Sequence, residues 1–253
     1  MHVIALSSIK GGVGKTATAV NVAYAAAHAG LQTLIWDLDP QAAATFYFRV
    51  KPKVKGGGAS LADDRKRAER SVKGTDYANL DLLPADFTNR NLDLILDTYN
   101  EKKRTTRFAK LTGGLADEYD LVVIDCPPGL SLLTENVFGT ADALYVPTIP
   151  TTLSVRMLDT LTEFVSENCA GLPVYSFFSM VDRRKKLHRE IIASLPESHT
   201  GVLETAIASS STVEQMGTHR APVASFAPRS KAAGTYGNLW NEMSTYVNAN
   251  GSP

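Results

Sequence analysis

Three short segments carry the residues whose types and spacing can do chemistry. They are Lys10-Gly11-Gly12-Val13-Gly14-Lys15-Thr16, Asp37-Leu38-Asp39-Pro40-Gln41 and Asp125-Cys126-Pro127-Pro128-Gly129. In the first, glycines without a Cβ let the backbone curl around phosphate oxygens. Lys15 offers a positive charge to the outer phosphates of a polyphosphate, and Thr16 offers a hydroxyl to Mg²⁺. In the second, alternation along an extended segment places Asp37 and Asp39 on one side. Pro40 disfavours helix at Asp39 and keeps that turn open. In the third, Asp125 ends an apolar run, a place that suits a carboxylate facing Mg²⁺ in phosphoryl transfer. The Pro-Pro-Gly that follows fixes an abrupt turn of the kind that moves with a terminal phosphate.

The elements around these segments make the chemistry credible. Val3 to Leu6 reads as a buried strand and Ala17 to Ala29 as an Ala-rich helix, so the glycine loop joins a strand to a helix. The first N–H groups of that helix have no partner within it and point at an anion. Leu31 to Asp37, Leu80 to Pro84, Leu121 to Asp125, Ala143 to Val146 and Val174 to Met180 read as further strands, with a short one at Val202 to Thr205. Asn91 to Tyr99, Thr105 to Asp117 and Ser230 to Val247 read as helices. In the last of these, Leu239, Trp240, Met243 and Val247 share a face. Strands alternating with helices imply an α/β fold: a doubly wound, mostly parallel sheet with helices on both faces. Its ligands then lie beyond the carboxyl ends of the strands.

The chain has 253 residues and reads as a single domain over 1–253, with an exposed charged insertion at about 50–76. That stretch holds Gly56-Gly57-Gly58 and the charge run from Asp63 to Arg70, and reads as a surface loop plus an exposed helix. Formal net charge is zero, so no global field draws the protein to nucleic acid. Two cysteines, Cys126 and Cys169, are too few for a disulfide framework, which favours a reduced cytosolic setting. No apolar stretch approaches the roughly 20 residues that span a bilayer. The N-terminus has no basic region followed by an apolar run, so no signal peptide is expected. Gly251-Ser252-Pro253 reads as a flexible end.

The glycine loop departs from the ordinary P-loop, G-x-x-x-x-G-K-[ST], which asks for Gly where Ile9 stands. It also carries a second lysine, Lys10, poorly placed for its own nucleotide and able to reach phosphates bound by a second subunit. With this variant loop, D-x-D-P-Q at Asp37 to Gln41 and D-x-P-P at Asp125 to Pro128, the chain resembles the ParA/MinD group of dimerising ATPases. Further matches run along nearly the whole chain, through the Pro-Thr segment Val146 to Ser154 and the segment Met180-Val181-Asp182-Arg183-Arg184. The resemblance implies ATP and Mg²⁺ bound by Lys10, Gly11, Gly12, Val13, Gly14, Lys15, Thr16 and Ala17. It implies Thr16, Asp37 and Asp125 at the metal, with Lys10 and Lys15 on the phosphates and Asp39 orienting the attacking water. Asp182 is expected near adenine, and Pro222 in a loop (Arg220 to Pro228) that closes over the base. Many relatives have Thr directly after Thr16, where this chain has Ala17, so a side-chain contact to the α-phosphate is lost and the backbone N–H remains.

Arg183-Arg184-Lys185-Lys186-Leu187-His188-Arg189 packs five cationic side chains into seven residues, with Arg229 and Lys231 nearer the C-terminus. On composition alone such a run is a solvated face. The resemblance implies instead a patch that holds DNA non-specifically and with strong salt dependence. It further implies an ATP-dependent homodimer on the nucleoid of a prokaryotic cytoplasm, no membrane, and a cargo-linked partner that stimulates hydrolysis. The cargo is a plasmid, a chromosome or a protein compartment such as a carboxysome. Two rivals share the fold. A MinD-like membrane ATPase needs a basic amphipathic C-terminal helix, which the last helix resembles poorly. A small-molecule enzyme or iron–sulfur reductase needs a substrate pocket or paired cysteines, and the spacing of Cys126 and Cys169 does not suit a cluster.

Overall fold

The structure, a computed structural model, describes residues 1–54, 56–58, 65–99 and 107–250. Seven strands form one sheet: β1 (His2–Leu6), β2 (Thr33–Asp37), β3 (Lys73–Gly74), β4 (Leu80–Leu83), β5 (Leu121–Asp125), β6 (Ala143–Thr148) and β7 (Val174–Phe178). Their order is β3-β4-β2-β5-β1-β6-β7. All neighbours run parallel except the edge pair β3 and β4. Apolar runs buried on both faces are what a covered parallel sheet requires. Alternate residues feed two cores. Val3, Leu34, Trp36, Val122 and Ile124 face one. Ile4, Leu6, Ile35, Val123 and Tyr145 face the other. Each core is closed by helices, so the doubly wound expectation holds.

On the second face lie α1 (Lys15–His28) and the C-terminal helix. Between β2 and β5, in chain order, come α2 (Ala43–Tyr47), α3 (Arg65–Ser71), α4 (Leu92–Asp97) and α5 (Arg107–Thr112). After β5 come α6 (Leu132–Phe138), α7 (Thr152–Asn168) and α8 (Lys186–Ser198). Three one-turn helices, α9 (Ser211–Glu214), α10 (Met216–His219) and α11 (Val223–Phe226), lead into α12 (Lys231–Asn250). Tyr236, Leu239, Trp240 and Met243 of α12 are buried in the core shared with α1. The apolar face of that helix is therefore already used inside the fold. Among the described residues no helix is long and apolar enough to cross a membrane.

Several expected boundaries shift. Helix α1 begins at Lys15, two residues before the apolar run, because Gly14 in the left-handed region (φ 92°) turns the chain straight into it. Strand β6 continues through Pro147 to Thr148. Leu144 donates its N–H to Pro173 of the β7 side, so by alternation the nitrogen of Pro147 faces the β1 side. There the ladder has already ended at Tyr145, and no donor is missed. The strand expected at Val202 to Thr205 is absent; only single bridges, Ser176 to Val202 and Val181 to Ala208, mark the segment. The Glu242 carboxylate takes the N–H groups of Glu204 (2.6 Å) and Thr205 (2.9 Å), which a ladder would need. The insertion is less exposed than expected. Val54 and Ala68 are buried, and the stretch ends in the unforeseen strand β3. The two acidic residues that open its charge run, and the first two of the helix expected from Thr105, lie outside the described residues, as do Gly251 to Pro253. The segment Asn91 to Tyr99 begins in a 3₁₀ turn (Phe87–Asn91) whose Thr88 N–H is capped by Asp86 at 2.9 Å.

Candidate nucleotide site

Strands β1, β5 and β2 end side by side. Leu6 pairs with Asp125, and Asp125 pairs with Asp37, so two carboxylates meet at the mouth of the glycine loop. The loop takes its shape from backbone geometry. Gly12 (φ 71°) and Gly14 (φ 92°) occupy conformations that L side chains rarely adopt. At Gly12 a Cβ would meet nothing, so the need there is conformational. At Gly14 it would also come within 2.9 Å of Ser179 Oγ. Val13 drives its side chain into the core while its backbone stays in the loop. Lys15 is buried, and Thr18 N–H donates to the Gly14 carbonyl (3.0 Å), so the helix starts immediately after the loop. The Pro127-Pro128-Gly129 turn is held to the same loop: Gly129 N–H donates to the Ser8 carbonyl at 3.2 Å.

Asp37 is fully buried and well supplied. Its Oδ2 accepts from Thr45 N–H (2.8 Å) and Thr45 Oγ1 (2.7 Å), and its Oδ1 from Asp39 N–H (3.2 Å). Thr45 in turn accepts from Ala85 N–H at 2.9 Å, which ties α2 to the exit of β4. Burial is the main reason the Asp37 carboxyl is pushed up to about 6, against the opposing hydrogen bonds of Thr45. Asp125 is also fully buried, yet neither of its oxygens has a hydrogen-bond partner among the described residues. Burial first and the Asp37 charge second raise it well above the ordinary carboxylate range, while the Thr16 hydroxyl and the Lys15 charge act the other way. Two buried carboxylates, one of them without donors, beside a threonine hydroxyl form an oxygen-rich set that fits a hard divalent cation and its water. Asp39 is half-buried at the cavity wall, its Oδ1 accepting from Gln41 N–H at 2.9 Å.

These residues surround one cavity of about 450 Å³. Gly11, Gly12, Gly14, Lys15, Thr16 and Ala17 form its floor, with Asp39 and Pro128 at the rim. The remaining wall comes from Tyr47 of α2, Met180, the segment 207–210, Val213 and Glu214 around α9, and Tyr236 of α12. None of that wall stands out in the sequence, because it is gathered from four separate stretches. Asp182 and Pro222 are not brought to this cavity. Asp182 is tied to Arg184 (Nε to Oδ1, 2.9 Å), an exposed pair that holds its carboxyl low, at about 2. Pro222 precedes α11, where Val223 N–H donates to Asn21 Oδ1 at 2.8 Å. Lys10 lies at the outer edge of the loop, its N–H donating to Ser8 Oγ at 3.3 Å. A larger cavity, about 660 Å³, opens at the other end of the sheet around residues 169–173. Its described lining carries the carboxylates of Glu135 and Asp142 and no Lys, Arg or His, so it repels phosphate.

The basic run is only partly free. Arg184 is engaged by Asp182, and Lys186 pairs with Glu190 at 3.4 Å. Arg189 donates to the carbonyls of Arg183 (2.8 Å) and Arg184 (3.0 Å), capping the turn before α8. Arg183, Lys185, Arg229 and Lys231 are exposed with no ion pair among the described residues.

Comparison with known proteins agrees with this geometry. The family model AAA_31, an AAA domain, matches residues 1–170. A ParA family protein of Chlamydia pneumoniae is 28% identical over 251 residues, 96% of this chain and 97% of its own length. The chromosome partitioning protein ParA of Myxococcus xanthus is 37% identical over 150 residues, 58% of this chain and 51% of its own length. Among solved structures, a Mycobacterium smegmatis cobyrinic acid a,c-diamide synthase with bound ATP analog and magnesium superposes with a TM-score of 0.81. It is 24% identical and covers 97% of this chain and 95% of its own. A Cyanothece McdA–ATP complex superposes at 0.80 with 20% identity, covering 96% of each chain. At these identities the structures show the fold alone. The chain belongs to the AAA_31 family, as a ParA-like member of the P-loop NTPases.

Proposed function

We propose that this single-domain chain binds ATP with Mg²⁺, pairs with a second copy around the nucleotides and hydrolyses ATP to ADP and phosphate. The observation that carries this is the meeting of the Lys10–Thr16 loop, Asp39 and the donor-free Asp125 carboxylate around one cavity at the carboxyl end of the sheet. Lys15 and the first N–H groups of α1 hold the outer phosphates. Thr16 and Asp125 hold the cation, with Asp37 anchored behind them by Thr45. A bound Mg²⁺ supplies charge neutralisation as the terminal phosphoryl group departs. Asp39, accessible at the rim, orients the attacking water. Lys10 reaches the partner's phosphates.

Surface chemistry supports the pairing. Apart from Met1, every exposed large hydrophobic side chain among the described residues (Phe46, Phe87, Leu94, Leu153, Met180 and Leu187) lies in a segment leaving the carboxyl end of a strand or in the helix that follows. That is the end at which Lys10 stands. Apolar groups gathered on one end mark an interaction face. The partnership then extends to DNA, held non-specifically through Arg183, Lys185, Arg229 and Lys231, and to a cargo-linked protein that stimulates hydrolysis.

Sedimentation velocity with ATP and Mg²⁺, against ADP, tests the core of the proposal. The unaltered chain should pair with ATP only. Lys10→Ala should bind ATP and stay monomeric, and Asp39→Ala should pair and turn over about 100-fold more slowly. A Lys10→Ala chain that still pairs, or an Asp39→Ala chain with normal turnover, would remove those assignments.

A further inference from the structure

One wall of the nucleotide cavity is unexplained by the loop and the carboxylates. Helices α2 and α12, far apart in sequence, each deliver a tyrosine to it: Tyr47 and Tyr236. Both stand on the wall that includes Ala17, which presents only a methyl group to the ligand. Tyr236 is 4% exposed although it lines the cavity, and it lies beside Thr18, whose Oγ1 is buried without a partner. The Tyr47 hydroxyl makes no hydrogen bond to any described residue. Phenylalanine would fill either position equally well if packing were all that mattered. A phenol kept at a buried wall without an acceptor carries a desolvation cost, unless something that enters the cavity accepts from it.

Phosphate oxygens are acceptors only, and their charge strengthens hydrogen bonds donated to them. The outer phosphates already have Lys15 and the glycine loop. Ala17 lies one step further along α1 than Thr16, beside the phosphate nearest the ribose. We propose that Tyr47 and Tyr236 donate hydrogen bonds to the nucleotide's α-phosphate, supplying from α2 and α12 the hydroxyls that Ala17 lacks. This rests on the reading of the cavity as a nucleotide site. It makes the pair positioning residues for a group that ATP and ADP share, so the contact stabilises both.

The test is equilibrium binding of ATP and ADP, each with Mg²⁺, to the full chain and to Tyr47→Phe, Tyr236→Phe and the double variant. Each single change should weaken ATP and ADP by the same factor, about 5- to 10-fold. Adding Ala17→Thr to Tyr47→Phe should recover most of the loss, a result that a purely structural role for the phenol does not give. The thermal midpoint of each nucleotide-free variant, measured alongside, separates lost packing from lost contact. Unchanged affinities would overturn the proposal, as would a loss confined to ATP, which would place the phenols at the terminal phosphate. Failure of Ala17→Thr to rescue a folded variant would overturn it too. An unaltered chain that binds neither nucleotide would remove the underlying site reading as well, so the two failures are distinguishable.

Discussion

At the scale of single residues, the site is organised by one imbalance. Asp37 has its donors and Asp125 has none, and both are buried in adjacent strands. Both carboxyls are raised chiefly by burial, so the folded chain holds protons that the unfolded chain releases. Without a cation, stability from Asp37 is therefore greatest below its unfolded pKa near 3.8 and falls as pH rises to about 6. Replacing Asp125 by Asn removes one buried charge. The expected result at pH 8 without Mg²⁺ is a gain of about 1–3 kcal/mol, read as a higher thermal midpoint. The same variant should lose Mg²⁺-dependent turnover; a lower midpoint would mean that the ionised carboxylate has partners the geometry does not reveal. Much at this scale was readable in advance, because Gly12, Gly14, Lys15, Thr16 and the aspartates form local motifs whose chemistry depends on spacing. Tyr47, Met180, Glu214 and Tyr236 were not readable, since only tertiary folding brings them to one wall. Asp182 was misplaced for a related reason: a neighbouring guanidinium, Arg184, captures it before any ligand can.

At the scale of elements, Thr45 links three pieces. Its hydroxyl donates to Asp37 and accepts from Ala85 N–H, so α2, β2 and the exit of β4 share one atom. Thr45→Val keeps the shape and removes that atom's hydrogen bonds, at a cost of about 1–3 kcal/mol. The loss falls mainly on the ionised form of Asp37, so the drop in thermal midpoint should be larger at pH 8 than at pH 5. Equal drops at both pH values would show that the hydroxyl serves Ala85 alone. Apolar runs made β1, β2, β4 and β5 legible, since burial on both faces leaves a continuous signature. Strand β3 left none, because two residues cannot show a period. The segment after Gly201 read as a strand by composition and failed as one because Glu242, nearly forty positions later, takes its donors. Such competition is settled by tertiary contacts and leaves no local trace.

At the scale of the whole molecule, zero net charge and a partly neutralised basic run make any DNA affinity a local property. Arg183→Glu combined with Arg229→Glu should weaken co-sedimentation with DNA at least 10-fold at low salt and flatten the salt dependence. ATP turnover in the absence of DNA should be unaffected. Unchanged affinity would return these arginines to an ordinary solvated surface. The order of strands was the least legible property, since apolar runs identify strands and do not rank them. That order also has a bearing on how crowded copies behave. One flank of the sheet ends in a two-residue strand bearing Lys73, and the other is overlaid by residues 201–208. Neither border offers a long open row of amides, so a concentrated stock should resist seeding cross-β ribbons even while its molecules remain free to meet end-on.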